Sequence, residues 1–195
     1  IAKRSPKTIK EITDEVISAL APLDDHIILK LRPFFFDTAY KILYERYGDR
    51  MWARLVKMID EETAPMIAVI LFFASKSISK VMAITLFKKY AEYFSDPYKQ
   101  FLLYFSGNIS LSDLYAKTAE KDPDLTIKIA IITKTIDKLP NELLNAVIVR
   151  YPSVVLRSEI FPVSARIRSA ILLLDKGDET AINFIRKQLN KNPDE

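Results

Sequence analysis

Nine consecutive apolar residues, Met66 to Ala74, stand between Pro65 and Ser75 without one polar side chain among them. A helix made of these residues has no face to give to water, so it must be enclosed on every side. The stretch from Pro65 to Ser75 rises only about 16 Å as a helix, well short of the roughly 30 Å hydrocarbon core of a bilayer. It therefore reads as the buried centre of a soluble helical domain whose other helices are amphipathic. The wider apolar run from Ala64 to Phe87 is not a membrane span either, because Ser75, Lys76, Ser77, Ser79 and Lys80 interrupt its middle.

The flanking sequence supplies those amphipathic partners. Ser5-Pro6 predicts a first helix with Ser as N-cap, carrying Ile9, Ile12, Val16 and Leu20 on one face and ending at Pro22. Asp24 and Asp25 open a second segment to Arg32, and Pro33 kinks it or starts a third that runs to Tyr47. Gly48 closes that helix and Asp49 is expected to cap the next, which turns Met51, Trp52, Leu55, Met58 and Ile59 inward. Thr63 is expected to cap the central helix. Ser77 is expected to cap a longer helix to about Phe94, with Val81, Ile84, Leu86 and Phe87 apolar, and Pro97 restarts the chain as far as Gly107. Ser110 followed by Asp113 has the spacing of a capping box. From Asp122-Pro123, Leu125, Ile129, Ile132, Ile136 and Leu139 step at helical spacing. Pro140, Pro152 and Pro162 then open or bracket shorter helices, and Asp178 after Gly177 caps the last, to about Asn190.

These signals make the chain all-α, with about eleven or twelve short helices in one domain over residues 1–195 and residues 191–195 as a frayed tail. Pro33, Pro65 and Pro97 recur at 32-residue spacing, each interval holding about two helices. The pattern allows either a compact bundle or a short stack of helical hairpins, similar to HEAT or tetratricopeptide stacks in architecture only, since no repeat consensus can be laid over the segments.

Composition removes several chemistries. With no Cys there is neither a disulfide nor a thiolate metal site, the one His leaves no second imidazole for a zinc site, and no G-x-S-x-G elbow presents a serine for that His to activate. Gly48, Gly107 and Gly177 stand too far apart to build a phosphate-binding loop. Asp24-Asp25-His26 reads as a helix cap, and Asp60-Glu61-Glu62 as a solvated junction suited to the positive end of the central helix. No catalytic residue, metal ligand or cofactor is expected. Glu11, Asp14 and Glu15 occupy the place where a secretory signal needs an apolar centre, and a disulfide-free, lysine-rich chain is expected in the cytoplasm. The abundance of Ile, Lys and Glu is compatible with a thermophilic source.

Three basic patches remain. Lys88, Lys89 and Lys99 are interleaved with Tyr93 and Tyr98, a mixture able to hold phosphates and stack bases. Arg150, Arg157, Arg166 and Arg168 surround two prolines with only Glu159 to offset them, and Arg50, Arg54 and Lys57 form a stripe on one helix. Against these, the net charge of +4 is small for 29 basic and 25 acidic residues, and no run of five like charges occurs. The expectation is a non-enzymatic interaction or adaptor subunit with a protein partner, in the setting of a nucleic-acid-handling complex. Direct, largely sequence-independent DNA or RNA binding through the patches is the alternative.

Overall fold

The computed structural model describes residues 9–74 and 80–190. All regular structure among them is helical, with no strand. The expected caps at Ser5 and Ser77 and the tail at 191–195 lie outside the described residues. The chain gathers into two compact units, Ile1–Ile109 and Ser110–Glu195.

The first unit is organised around the all-apolar helix. Its elements are α1 (Ile9–Leu20), α2 (Asp25–Leu29), a 3₁₀ turn at Pro33–Phe35, α3 (Phe36–Tyr47), α4 (Met51–Val56), α5 (Ala64–Phe73), α6 (Lys80–Tyr90) and α7 (Lys99–Phe105). Every side chain of α5 is buried except those of Pro65 and Phe73, which are half-buried. Helices α3 and α7 both pack on it. Aromatic edges fix those contacts. The Phe72 ring lies 5.4 Å from Phe101 and 5.5 Å from Tyr104 of α7, and Phe73 lies 5.4 Å from Phe36 and 5.3 Å from Tyr40 of α3.

Local signals set the ends of these helices, with three differences from expectation. Gly48 takes the positive φ of +52° that ends α3, but Asp49 does not cap α4, because a 3₁₀ turn at Gly48–Arg50 leads into that helix without a side-chain cap. Thr63 stands at the N-cap position of α5 without capping it. Its hydroxyl instead donates to the Met58 carbonyl, and its own N–H is held by Asp60 Oδ1 at 2.8 Å. Val81, expected on the inner face of its helix, is 73% exposed.

The second unit contains α8 (Leu111–Ala119), α9 (Pro123–Thr133), a 3₁₀ turn at Ile136–Lys138, α10 (Asn141–Arg150), α11 (Pro152–Arg157), α12 (Val163–Leu174) and α13 (Glu179–Leu189). Its main packing runs between elements that are neighbours or next neighbours in sequence: α8 on α9, α10 on α11 and α12, α11 on α12, and α12 on α13. Leu156, Ala170, Leu173 and Ala181 form one of its cores, closed by Phe184 and Ile185. The capping box at Ser110 and Asp113 is complete, and Asp122 and Asp178 accept from the N–H groups of Leu125 and Ala181, each at 3.0 Å.

The apolar series from Leu125 to Leu139 does not form one helix. Helix α9 stops at Thr133, Lys134 turns left-handed at φ +58°, and Ile136 enters a separate 3₁₀ turn. A polar cluster accounts for the break. The buried Tyr115 hydroxyl is hydrogen-bonded to Thr135 Oγ1 at 2.6 Å, and Thr135 to Thr133 at 2.8 Å, a geometry that a continuing helix would separate. The turn keeps Ile136 and Leu139 buried.

Ile70 has no exposed surface at the centre of α5. Replacement by Ala is expected to lower unfolding stability by about 2–5 kcal/mol through lost burial and the cavity left behind. Urea titration followed by the fluorescence of Trp52, the one tryptophan and a residue of the same unit, measures it.

Candidate interaction surfaces

Aspartate 25 is the most deeply placed charge among the described residues. At the first position of α2 it is only 3% exposed, and its carboxylate accepts from Tyr47 Oη at 2.6 Å, from Arg54 Nε at 3.3 Å and from Arg46 Nη1. Arg46 also donates to the Leu23 carbonyl at 2.7 Å. Burial pushes the Asp25 carboxyl up, but the hydrogen bonds from Tyr47, Arg46 and Arg54 outweigh it and hold the group below its ordinary range. This clamp ties α2 to α3 and α4. The Asp25 carboxylate itself is enclosed, 4% exposed at the side chain, so its role is structural.

The neighbouring residues complete the junction. Asp24 caps α2 by accepting from the His26 N–H at 2.8 Å, as the triplet suggests. His26 Nε2 is hydrogen-bonded to Asp60 Oδ2 at 2.8 Å, and Lys30 pairs with Glu62. The D-D-H and D-E-E segments are thus joined to each other, a link that separation by more than thirty residues hides in the sequence. Burial raises the Asp60 carboxyl, yet His26, Thr63 and the Glu62 N–H bring it down to about 2. Among the described residues no group of three or more His, Asp or Glu is placed to hold a metal ion.

The basic residues separate into a set bonded to other helices and an outward set. Arg54, the middle of the α4 stripe, reaches Asp25 with Nε although its side chain is 54% exposed, and its guanidinium lies 5.7 Å from the Tyr47 ring centre; Arg50 and Lys57 on either side are exposed. In the second unit, Arg166 donates from Nε to the Leu156 carbonyl at 3.1 Å and lies 4.8 Å from the centre of the Phe184 ring, so it straps α12 to α11 and α13. Arg168 donates to Asn145 Oδ1 of α10. Arg150 and Arg157 remain at the surface, at the C-terminal ends of α10 and α11, where a cation also suits the helix dipole. Arg150 lies over the ring of its neighbour Tyr151 at 5.3 Å.

Exposed apolar side chains flank those two arginines in sequence. Tyr151, at the N-cap of α11, and Val154 and Arg157 within it recur every third residue, and all are exposed, Val154 by 61%. Val149 precedes them at 70%, and Ile160 and Val163 follow at 42% and 51%. Val155 and Leu156 of the same short helix are buried, so α11 divides cleanly into an inner and an outer face.

The lysine patch of the first unit forms a cleft. Ile84, Lys88 and Ala91 lie at helical spacing along α6 and just beyond it, and Lys99, Leu102, Leu103 and Ser106 lie at helical spacing along α7. The two rows face each other across a cavity of about 250 Å³. Lys89 is turned toward the Tyr90 ring at 5.3 Å, and Tyr93 and Tyr98 are half-buried and do not line the cleft. The structure therefore brings Lys88 and Lys99 together, although the residues expected to stack bases stand outside the site they form.

No helix among the described residues is long and apolar enough to cross a membrane. Comparison of the chain with protein-family models, with curated proteins and with solved structures finds no match in any of the three.

Two predictions test the α2 junction. Asp25→Ala is expected to cost about 1.5–3 kcal/mol, because Tyr47, Arg46 and Arg54 lose the charged acceptor they share; thermal or urea unfolding reads the loss. Since the folded pKa of Asp60 lies below its ordinary 3.8, its contribution is fully present above that value and lost as pH falls toward about 2. Its side chain is 44% exposed, so solvent screening limits the effect to about 1 kcal/mol. Asp60→Asn is expected to flatten stability across that acid window.

Proposed function

We propose that this chain is a non-enzymatic interaction subunit, and that the outer face of α11 with its neighbours docks an acidic surface of a protein partner. The observation that carries the reading is the company of exposed apolar and cationic groups there: Val149, Tyr151 and Val154 beside Arg150 and Arg157. Nine of the thirteen exposed large apolar side chains among the described residues belong to the second unit, and five of them fall between Val149 and Val163. Tyrosine and arginine are the residues that most often anchor interfaces, and Tyr151 already holds Arg150 in place through its ring. Complementarity asks for carboxylates on the partner, aligned with the two arginines and flanking an apolar centre.

Direct nucleic-acid binding is the second reading, favoured by the outward set Arg150, Arg157, Lys88 and Lys99. The apolar exposure weighs against it at α11, since contacts with phosphates gain nothing from Val149 and Val154. A setting within a nucleic-acid-handling complex needs no contact from these residues themselves.

Affinity isolation of the tagged chain from its own host, repeated with Val154→Asp and Arg157→Glu, separates the readings. A stoichiometric protein retained by the native chain and by an Arg50→Glu control, but lost from both α11 variants, is the expected result. Loss of no protein from either variant overturns the assignment of this face. A labelled oligonucleotide whose binding tightens steeply between about 200 and 50 mM salt, and weakens with Arg150→Ala and Arg157→Ala, would instead establish the second reading.

A further inference from the structure

The cleft between α6 and α7 has a composition that macromolecular docking at α11 does not use. Its lining is aliphatic at Ile84, Ala91, Leu102 and Leu103 and cationic at Lys88 and Lys99. No carboxylate among the described residues lines it. The polar groups at its far end are already occupied with each other: Ser106 Oγ donates to the Leu103 carbonyl at 2.9 Å and accepts from Asn108 Nδ2 at 2.8 Å. Nearby Asp96 accepts from Gln100 Nε2 at 2.7 Å. Two lysines thus line a largely apolar cavity of about 250 Å³ with no anionic side chain from the described residues in its lining. The larger cleft beside α1 and α3, about 410 Å³, differs in this respect, because Asp37, Glu45 and Lys41 line it with both signs.

We propose that the α6–α7 cleft binds a small amphipathic carboxylate, its aliphatic tail against Ile84, Ala91, Leu102 and Leu103 and its head between Lys88 and Lys99. The tail removes apolar wall from water. The flexible lysine stems extend the wall while their charged ends reach the head group in solvent. A neutral molecule of the same length gains the first contribution and not the second, and a cation of that length meets repulsion at the rim. Specificity for the charge therefore comes from the lysines and specificity for the length from the depth of the cavity.

Titration of decanoate into the full chain, followed by calorimetry and by the methyl NMR signals of Ile84, Leu102 and Leu103, tests the site. Saturable binding that shifts those methyl signals is expected, with affinity rising about three- to fourfold for each methylene added from hexanoate onward until the cavity is full. Lys88→Gln combined with Lys99→Gln is expected to weaken decanoate about tenfold and to leave decanol unaffected, and added salt to weaken decanoate alone. Ala91→Leu, which narrows the cavity without touching its charge, is expected to weaken decanoate and decanol together. Absence of saturable binding, methyl shifts confined to other residues, or decanoate binding that the lysine variant leaves intact overturns the proposal. None of these outcomes bears on the α11 face, whose residues belong to the other unit.

Discussion

Enclosing α5 is the condition that the first unit has to meet. A helix with apolar residues around its whole circumference gains nothing from solvent contact, so its stability rests on the completeness of its wall. The wall is made largely of rings and branched aliphatics. Phe72 faces Phe101 and Tyr104 on one side, and Phe73 meets Phe36 and Tyr40 on the other. Because edge-to-face rings hold a preferred geometry as well as burying area, the same contacts that exclude water also fix where α3 and α7 sit. Polar groups are pushed to the margin of this arrangement. At the junction before α5, Thr63 and Asp60 satisfy each other and the surrounding backbone instead of capping the helix in the ordinary way. Asp25, buried at the start of α2, is held ionised by three donors from two later helices, Arg46 and Tyr47 of α3 and Arg54 of α4.

How much of this was legible depended on the range of the interaction. The extent of α5, the capping box at Ser110, and the caps at Asp24, Asp122 and Asp178 follow from neighbours within three residues, and the sequence pattern finds them. The end of α9 was not legible in the same way. Leu125, Ile129, Ile132, Ile136 and Leu139 are spaced for one helix, but Tyr115 from another helix recruits Thr133 and Thr135, and the polar cluster decides the backbone. Asp25 was hidden for the same reason, since Arg46, Tyr47 and Arg54 reach it from later helices. A charged residue in a helical stripe carries no mark of whether it will meet water or a buried carboxylate. Arg54 meets the carboxylate, and its stripe-mates Arg50 and Lys57 do not.

The same sorting separates the arginines of the second unit. Arg166 joins three helices, using its Nε for the Leu156 carbonyl of α11 and placing its guanidinium 4.8 Å from the centre of the Phe184 ring of α13. Guanidinium suits that double role because it donates in its plane and stacks across it. Arg150 and Arg157 have no such internal duty, and they lie where α10 and α11 end. Of the four arginines grouped by sequence, Arg166 and Arg168 bond to other helices, and Arg150 and Arg157 stand at the surface.

The apolar surface of the second unit follows from the length of its helices. A six-residue helix such as α11 makes fewer than two turns, so it offers one inner face and has no means of wrapping a layer over its outer one. Val155 and Leu156 fill the inner face. Tyr151 and Val154 are then surplus to the core, and burying them requires another element that neighbour-on-neighbour packing does not bring. A polar residue at Val154, 61% exposed, would give up little buried surface, whereas Tyr151, 48% exposed, also carries Arg150 over its ring. The apolar character of Val154 is thus little needed by the unit's own core, and that is the physical ground of the proposal for the α11 face.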